Sequence, residues 1–348
     1  MRAVKRRLSW LGAILAIAAF CGQAVAAQDS EVKTSGTRSV EKGAEAGSIK
    51  PADYVRMLGK GLDVDWAKTP EGMAAYHASA VADLKKMGFS HARVRVKDDV
   101  TEGLLQRIET IVKDCLAQGL IPVVAYQGDA FKTEPTDGNM QAVVSWWGTV
   151  AERLKNCPPR LSFDSLIEVT DALNKDSDKI NQLYEKVVAE IRKTNPERII
   201  FISPRLRSDP AYLNELKIPT KHNGFLMAEW HFYASGPSKT NPNKLWTTGA
   251  EEEKELIRAK IRQALDWQSK TGIPTWVGAW MPNDYNKGDN YTLDEQIKFA
   301  RFVAGELDKA GVPFSVNSDS KYYDRENRKW IEENLPLVHE ILKPSNHN

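Results

Sequence analysis

The chain has 348 residues, 42% of them hydrophobic and 27% charged, which is enough apolar content for a large core and excludes disordered, collagenous and coiled-coil chains. Its formal charge is +2, but Arg2, Lys5, Arg6 and Arg7 precede an apolar N-terminal run, and without them 44 basic residues face 46 acidic ones. That balance offers no electrostatic footprint for nucleic acid or for an anionic membrane surface.

The basic stretch Arg2 to Arg7, the apolar run Leu11 to Phe20 and the small residues Ala24-Val25-Ala26-Ala27 read as a signal peptide over residues 1–27, with export to the periplasm or beyond the cell. Cys21 raises a lipoprotein alternative, against which stands the bulky Phe20 before it. Residues 28–50 turn to Ser, Thr, Gly, Glu and Lys without apolar periodicity, a flexible leader. After signal removal only Cys115 and Cys157 remain, as a pair or as two buried thiols, so the core supplies the stability. No second run is long and apolar enough to span a bilayer.

From Pro51 onward short apolar runs alternate with longer amphipathic ones. Candidate strands are Met57 to Val64, His91 to Val96, Ile121 to Tyr126, Ser165 to Thr170, Arg198 to Ser203, Phe225 to Trp230, Thr275 to Ala279 and Phe314 to Asn317. Helical period appears over Met73 to Met87, Glu102 to Gln118, Met140 to Asn156, Asp178 to Lys193, Glu251 to Lys270 and Leu293 to Ala310, with a last helix from Glu326 to Leu342. Gly88, Gly119, Gly272 and Gly311 follow four of these stretches, where a left-handed helix terminus needs glycine. Eight strand-helix units predict a single α/β domain over residues 51–345, a (β/α)8 TIM barrel, whose site lies at the carboxyl ends of the strands. The runner-up, a doubly wound sheet, lacks a glycine-rich phosphate fingerprint after the first strand, where Gly61-Leu62-Asp63-Val64-Asp65 stands.

The predicted strand ends gather polar groups and aromatics. They carry Asp63, Asp65 and Trp66; Arg93, Arg95, Asp98 and Asp99; Tyr126, Gln127 and Asp129; Glu168 and Asp171; Glu229, His231 and Tyr233; Trp280; and Asn317 and Asp319. Rings interleaved with carboxylates and amides suit a sugar, whose pyranose faces stack on indoles while its hydroxyls take hydrogen bonds. The six histidines lack metal-ligand spacing and no serine sits in a nucleophile elbow, so neither metal nor cofactor is expected.

In order and spacing the chain resembles glycoside hydrolase family 5, the cellulase-like barrels. The matching pieces are Gly59-Lys60-Gly61-Leu62-Asp63, Met87-Gly88-Phe89 through Arg93-Val94, Trp147 with Leu154-Lys155, His231-Phe232-Tyr233, and Gly272-Ile273-Pro274 through Gly278. The resemblance implies a carbohydrate partner, with Asp63, Trp66, Arg93, Gln127, His231, Tyr233 and Trp280 as candidate substrate-binding residues. It also implies an Asn-Glu-Pro acid/base after the fourth strand and a Gly-Glu nucleophile after the seventh. Here those positions read as Asp171-Ala172-Leu173 and Gly278-Ala279, two alanines where a retaining glycosidase needs carboxyl groups. Asp171 and Glu229 are the candidate catalytic replacements; their bland roles are a sugar hydrogen bond or a bridge to Arg93 for Asp171, and neutralisation of Arg93 or Arg95 for Glu229. Glu168 reads as structural. Two functions stand: a carbohydrate-binding relative without ordinary hydrolysis, or a glycosidase that uses non-standard carboxylates.

Overall fold

Eight short strands, none of which can bury both faces alone, close on one another through parallel ladders in the order β1 to β8, with β8 returning to pair with β1. They are β1 (Lys60–Ala67), β2 (His91–Val96), β3 (Ile121–Tyr126), β4 (Ser162–Asp164), β5 (Ile199–Ile202), β6 (Leu226–His231), β7 (Thr275–Trp280) and β8 (Phe314–Val316). The structure, a computed structural model, describes residues 47–232, 237–240, 244–282 and 291–344. The predicted signal segment and most of the leader lie outside them. Residues 44–348 make one compact unit, a single (β/α)8 TIM barrel as the alternating pattern implied.

Strand alternation divides the residues into two sets. Leu62 and Val64 of β1, Val94 of β2, Val277 and Trp280 of β7 and Val316 of β8 join the large apolar layer under the helices. Ile121, Val123, Ile199, Phe201, Met227 and Trp276 form a smaller cluster with Tyr54 and Leu58 of α1 (Pro51–Leu58). Proline at the first helical turn starts α1, and Tyr54 and Leu58, one turn apart, are both buried in that cluster. The predicted first strand begins inside this helix. Gly59, at φ 52°, separates the two elements, and a β-carbon there would lie 2.9 Å from Ser90 Oγ.

Most helices sit within a turn of their expected limits, and Gly88, Gly119, Gly272 and Gly311 have φ of 116°, 72°, 70° and 65°. Three segments differ. Met73 to Met87 is not one helix: it breaks at residues 75–77 into Pro70–Ala74 and Ala78–Met87, the second capped by the His77 side chain. Glu326 to Leu342 is not one helix: a hairpin pairs Tyr323–Asp324 with Lys329–Trp330, and the helix covers only Leu335–Leu342. Arg328, at φ 54°, and the Asp324 side chain, which accepts from the Glu326 and Asn327 amides, make the turn that displaces the helix. The fourth strand is Ser162–Asp164, not Ser165 to Thr170. The latter alternates in hydrophobicity but continues the ladder only through single bonds, Ser165 to Phe201 and Ile167 to Tyr126, before Glu168 turns at φ 50°. Cys115 and Cys157 are free thiols. Among the described residues no helix is long and apolar enough to cross a membrane.

Candidate functional site at the barrel mouth

Beyond the apolar cluster the barrel interior is charged. Arg93 of β2 places Nε and Nη2 at 2.9 and 2.6 Å from Asp164 Oδ2, and Nη1 at 3.4 Å from Asp63 Oδ2. Nη2 also pairs with Glu229 of β6, and the guanidinium lies 5.4 Å from the centroid of the Trp276 ring. These side chains are buried to within 1% of completely. A buried guanidinium without counter-charges would cost several kcal/mol as a rough estimate, so three strands supply a carboxyl group each. Arg95 follows two residues on and donates to Asp65 (2.9 Å) and Asn317 (3.3 Å). Gly278 of β7 is the residue that admits Glu229: a β-carbon at 278 would lie 1.9 Å from the Glu229 carboxylate.

His231 lies between two carboxylates. Its Nε2 is 2.5 Å from Glu229 Oε1 and its Nδ1 is 3.0 Å from Glu168 Oε1. Burial opposes a charge on the imidazole, but Glu229 and Glu168 outweigh it and push His231 up to about 9. Burial likewise opposes ionisation of Glu229, yet Arg93 and His231 hold it below the usual carboxylate range. Glu168 is held low too, its burial overcome by the His231 hydrogen bond and then by charge. Asp164 goes the other way: burial and the neighbouring Glu229 charge push it up to about 8 against the pull of Arg93. One proton therefore rests in the Asp164–Glu229 pair near neutral pH, and the imidazole is a cation.

Glu168 is the partly exposed member of this set, with 17% of its side chain open. Arg207, 3.7 Å from it, comes from residues 206–208, three successive non-glycine residues at φ near 60°. Lys132 reaches up from the short helix Asp129–Thr133 to Gln127 and to the Ile167 carbonyl, 3.2 Å each. The structure thus brings Asp63, Arg93, Glu229 and His231 together and sets Gln127 beside Lys132 at the rim.

Several expected site residues are elsewhere. Trp280 is fully buried, edge-on to Phe299 and Phe314 at 6.0 and 5.6 Å. A bulge in the β7–β8 ladder between Val277 and Trp280 shifts its alternation, so it joins the layer under the helices rather than the rim. Trp66 is outward as well, packed on Tyr76 at 5.2 Å. Asp171 is exposed in a 3-10 turn, at φ 52°, bonded to Thr170 Oγ1 at 2.8 Å, and it neither meets Arg93 nor faces the barrel. Ala172 is exposed in the same turn. The carboxylate that the β4 connection places at the mouth is Glu168, so the expectation that Ala172 stands there, and that Glu168 is a deep structural group, is corrected. Ala279 is fully buried on β7, with its Cα paired to that of His231. Tyr233 lies outside the described residues. Asp164 is the residue that sequence reasoning missed, and Glu168 the one whose place it misread. Their signal was Pro158-Pro159, past which no helix continues, so that the strand can start at Ser162. Among the described residues no group of three or more potential ligands is placed to hold a metal ion.

Residues 57–312 match the model of the cellulase family, glycosyl hydrolase family 5. Endoglucanase H of Acetivibrio thermocellus is 23% identical over 306 residues, covering 83% of this chain and 33% of that protein. Endoglucanase B of Paenibacillus lautus is 22% identical over 268 residues, 71% of this chain and 46% of that one. The chain therefore spans between a third and a half of these curated relatives. A hyperthermophilic endo-β-1,4-glucanase solved with substrate superposes with a TM-score of 0.72 at 22% identity, over 84% of this chain and 99% of that one. The cellulose synthase subunit Z of Clostridioides difficile gives 0.68 at 18%, over 82% and 100%. At such identity the structures speak for the fold alone, but the family match covers most of the sequence: the chain belongs to glycosyl hydrolase family 5.

Proposed function

We propose that this is an exported carbohydrate-binding member of the family, which takes a β-linked oligo- or polysaccharide at the barrel mouth and lacks ordinary retaining hydrolysis. The observation that carries the reading is the fate of the carboxylate opposite the mouth. Retention needs two carboxyl groups about 5 to 5.5 Å apart, one of them free to attack the anomeric carbon. Position 279 offers a methyl group, and the carboxylate beside it, Glu229, is fully buried and committed to Arg93 and His231. The His231 ring lies between Glu229 and Glu168, so these two do not face each other across a substrate. The endoglucanase names of the relatives support a β-glucan as the ligand class.

A second reading is favoured by Glu168 alone. A carboxylate at the mouth, bonded to an imidazole, is fit for proton transfer, and a glycosidase of unusual mechanism would use it in place of Asp171, with Glu229 as its inner partner. Calorimetric titration with cello- and manno-oligosaccharides, followed by chromatography of the recovered sugar, separates the two. Binding with intact sugar recovered is expected; turnover that Glu168→Gln abolishes would establish the second reading instead.

A further inference from the structure

We infer that Glu229, His231 and Glu168 form a proton-carrying chain from the barrel interior to its mouth, in which His231 is the positioning residue that supplies a proton to Glu168. The contacts are continuous, with Glu229 Oε1 at 2.5 Å from Nε2 and Glu168 Oε1 at 3.0 Å from Nδ1. Exposure runs one way: Glu229 and His231 side chains are closed to solvent and Glu168 is partly open. At the inner end two carboxyl groups crowd Arg93. Glu229 Oε2 and Asp164 Oδ1 are buried carboxyl oxygens that accept no donor among the described residues, as is expected where two carboxyl groups share one proton.

Charge counting supports the same assignment. The side chains around the ring come from several elements: Asp63 and Asp65 from β1, Arg93 and Arg95 from β2, Asp164 from β4, Glu168 from its connection and Glu229 from β6. Arg207 and Lys132 lie outside, toward Glu168. Asp65 is also met by Lys68 and Arg325, and Glu168 by Arg207, which leaves Asp63, Asp164 and Glu229 against Arg93 and a share of Arg95, an excess of acid that a cationic imidazole and one carboxylic proton reduce.

The step balances without any further reactant. The Nδ1–H bond breaks and an O–H bond forms on Glu168; the imidazolium becomes neutral imidazole and keeps its Nε2 proton on the Glu229 carboxylate. The summed charge of the three groups is unchanged. Glu168, a charged base at rest, thus becomes an acid when a ligand oxygen replaces solvent against it, and the proton it gives up returns from water. That last use, toward a saccharide oxygen, rests on the proposed binding of a glycan at the mouth.

The test is nitrogen-15 NMR of the full chain labelled in histidine, with His231 assigned by the signal lost in His231→Asn. Both ring nitrogens are expected to carry protons at pH 7.5. Glu229→Gln and Glu168→Gln should each lower the proton affinity of the ring about tenfold or more, while Glu168→Asp restores part of it. A neutral single tautomer at pH 7.5 in the parent chain would overturn the inference, as would a titration that neither glutamine variant moves. If a variant fails to fold, carbon-13 titration of the Glu168 and Glu229 carboxyls in the parent decides, since the chain requires them to shift together with the His231 nitrogens. Parallel titration with cellotetraose keeps the two claims apart: a cationic His231 with no sugar response leaves the relay standing and counts against the glycan reading alone.

Discussion

Replacing Glu229 with glutamine removes a charge from the most enclosed part of the site and keeps its shape. The carboxylate serves Arg93 Nη2 and His231 Nε2 at once, and both partners are buried. Deleting one partner of a buried ion pair commonly costs about 3–5 kcal/mol. Here part of the loss is recovered. Asp164 carries a proton largely because burial and the Glu229 charge disfavour its ionised form, and it already lies 2.6 and 2.9 Å from Arg93. With Glu229 neutral, Asp164 ionises and Arg93 keeps a counter-charge, so the net destabilisation should be about 2–3 kcal/mol. For a folded unit of this size that lowers the melting temperature by about 4–8 °C. Glu229→Leu also strips the acceptor from His231 and should cost about 4 kcal/mol or more. Urea and thermal unfolding of the three chains at pH 7 measure the series. A Glu229→Gln chain that melts within about 1 °C of the parent would refute the view that this carboxylate holds the interior charges together.

Trp280→Ala should lose about 3–5 kcal/mol of stability, because it empties a fully buried site against Phe299 and Phe314. In folded protein at low temperature its affinity for an oligosaccharide should stay within about twofold of the parent by calorimetry, whereas loss of stacking would cost about 1 kcal/mol, roughly fivefold. Asp171→Asn should lie within about 0.5 kcal/mol of the parent by urea unfolding and leave binding unchanged. Stability should fall as pH rises from 6.5 to 9. His231 is held up to about 9 against 6.5 unfolded, so its contribution is complete below pH 6.5 and gone above 9, on the order of 3 kcal/mol. Asp164, held up to about 8 against 3.8, keeps its proton in the folded chain after the unfolded chain has lost it, so its contribution is complete below pH 3.8 and is lost progressively up to pH 8. Thermal melts across pH 5 to 9 check the sign, and His231→Gln should flatten the alkaline limb.

The barrel was legible because period-two and period-3.6 runs alternate along the whole folded segment, and helix-ending glycines mark where one unit gives way to the next. The site was legible where a strand carries its charges at every second position: Arg93 and Arg95 on β2, and Glu229 and His231 on β6, share a face by alternation. It was illegible where local backbone breaks the alternation. The bulge before Trp280 sends a rim aromatic into the core, and the turn at Glu168 brings a carboxylate that looked deep out to the mouth. Asp164 escaped notice because a buried acid in a three-residue strand makes sense only beside Arg93, 71 positions away. The apolar alternation of Ser165 to Thr170 competed for the strand and shifted the reading of everything up to Ala172.

Whether this barrel has lost its attacking carboxylate while keeping a proton-transfer group is decided by release of dinitrophenol from an aryl β-cellobioside. The comparison is between the parent chain and the chain carrying Ala279→Glu together with Glu229→Ser, which moves the carboxylate from β6 to β7 without adding a buried charge. The parent should remain at the buffer rate, and the double variant should exceed it by at least about tenfold, since an acid and a nucleophile act as a unit and Glu168 is already in place. Hydrolysis by the parent, abolished by Glu229→Gln, would show the opposite: the buried carboxylate would then be the nucleophile and the chain a working glycosidase.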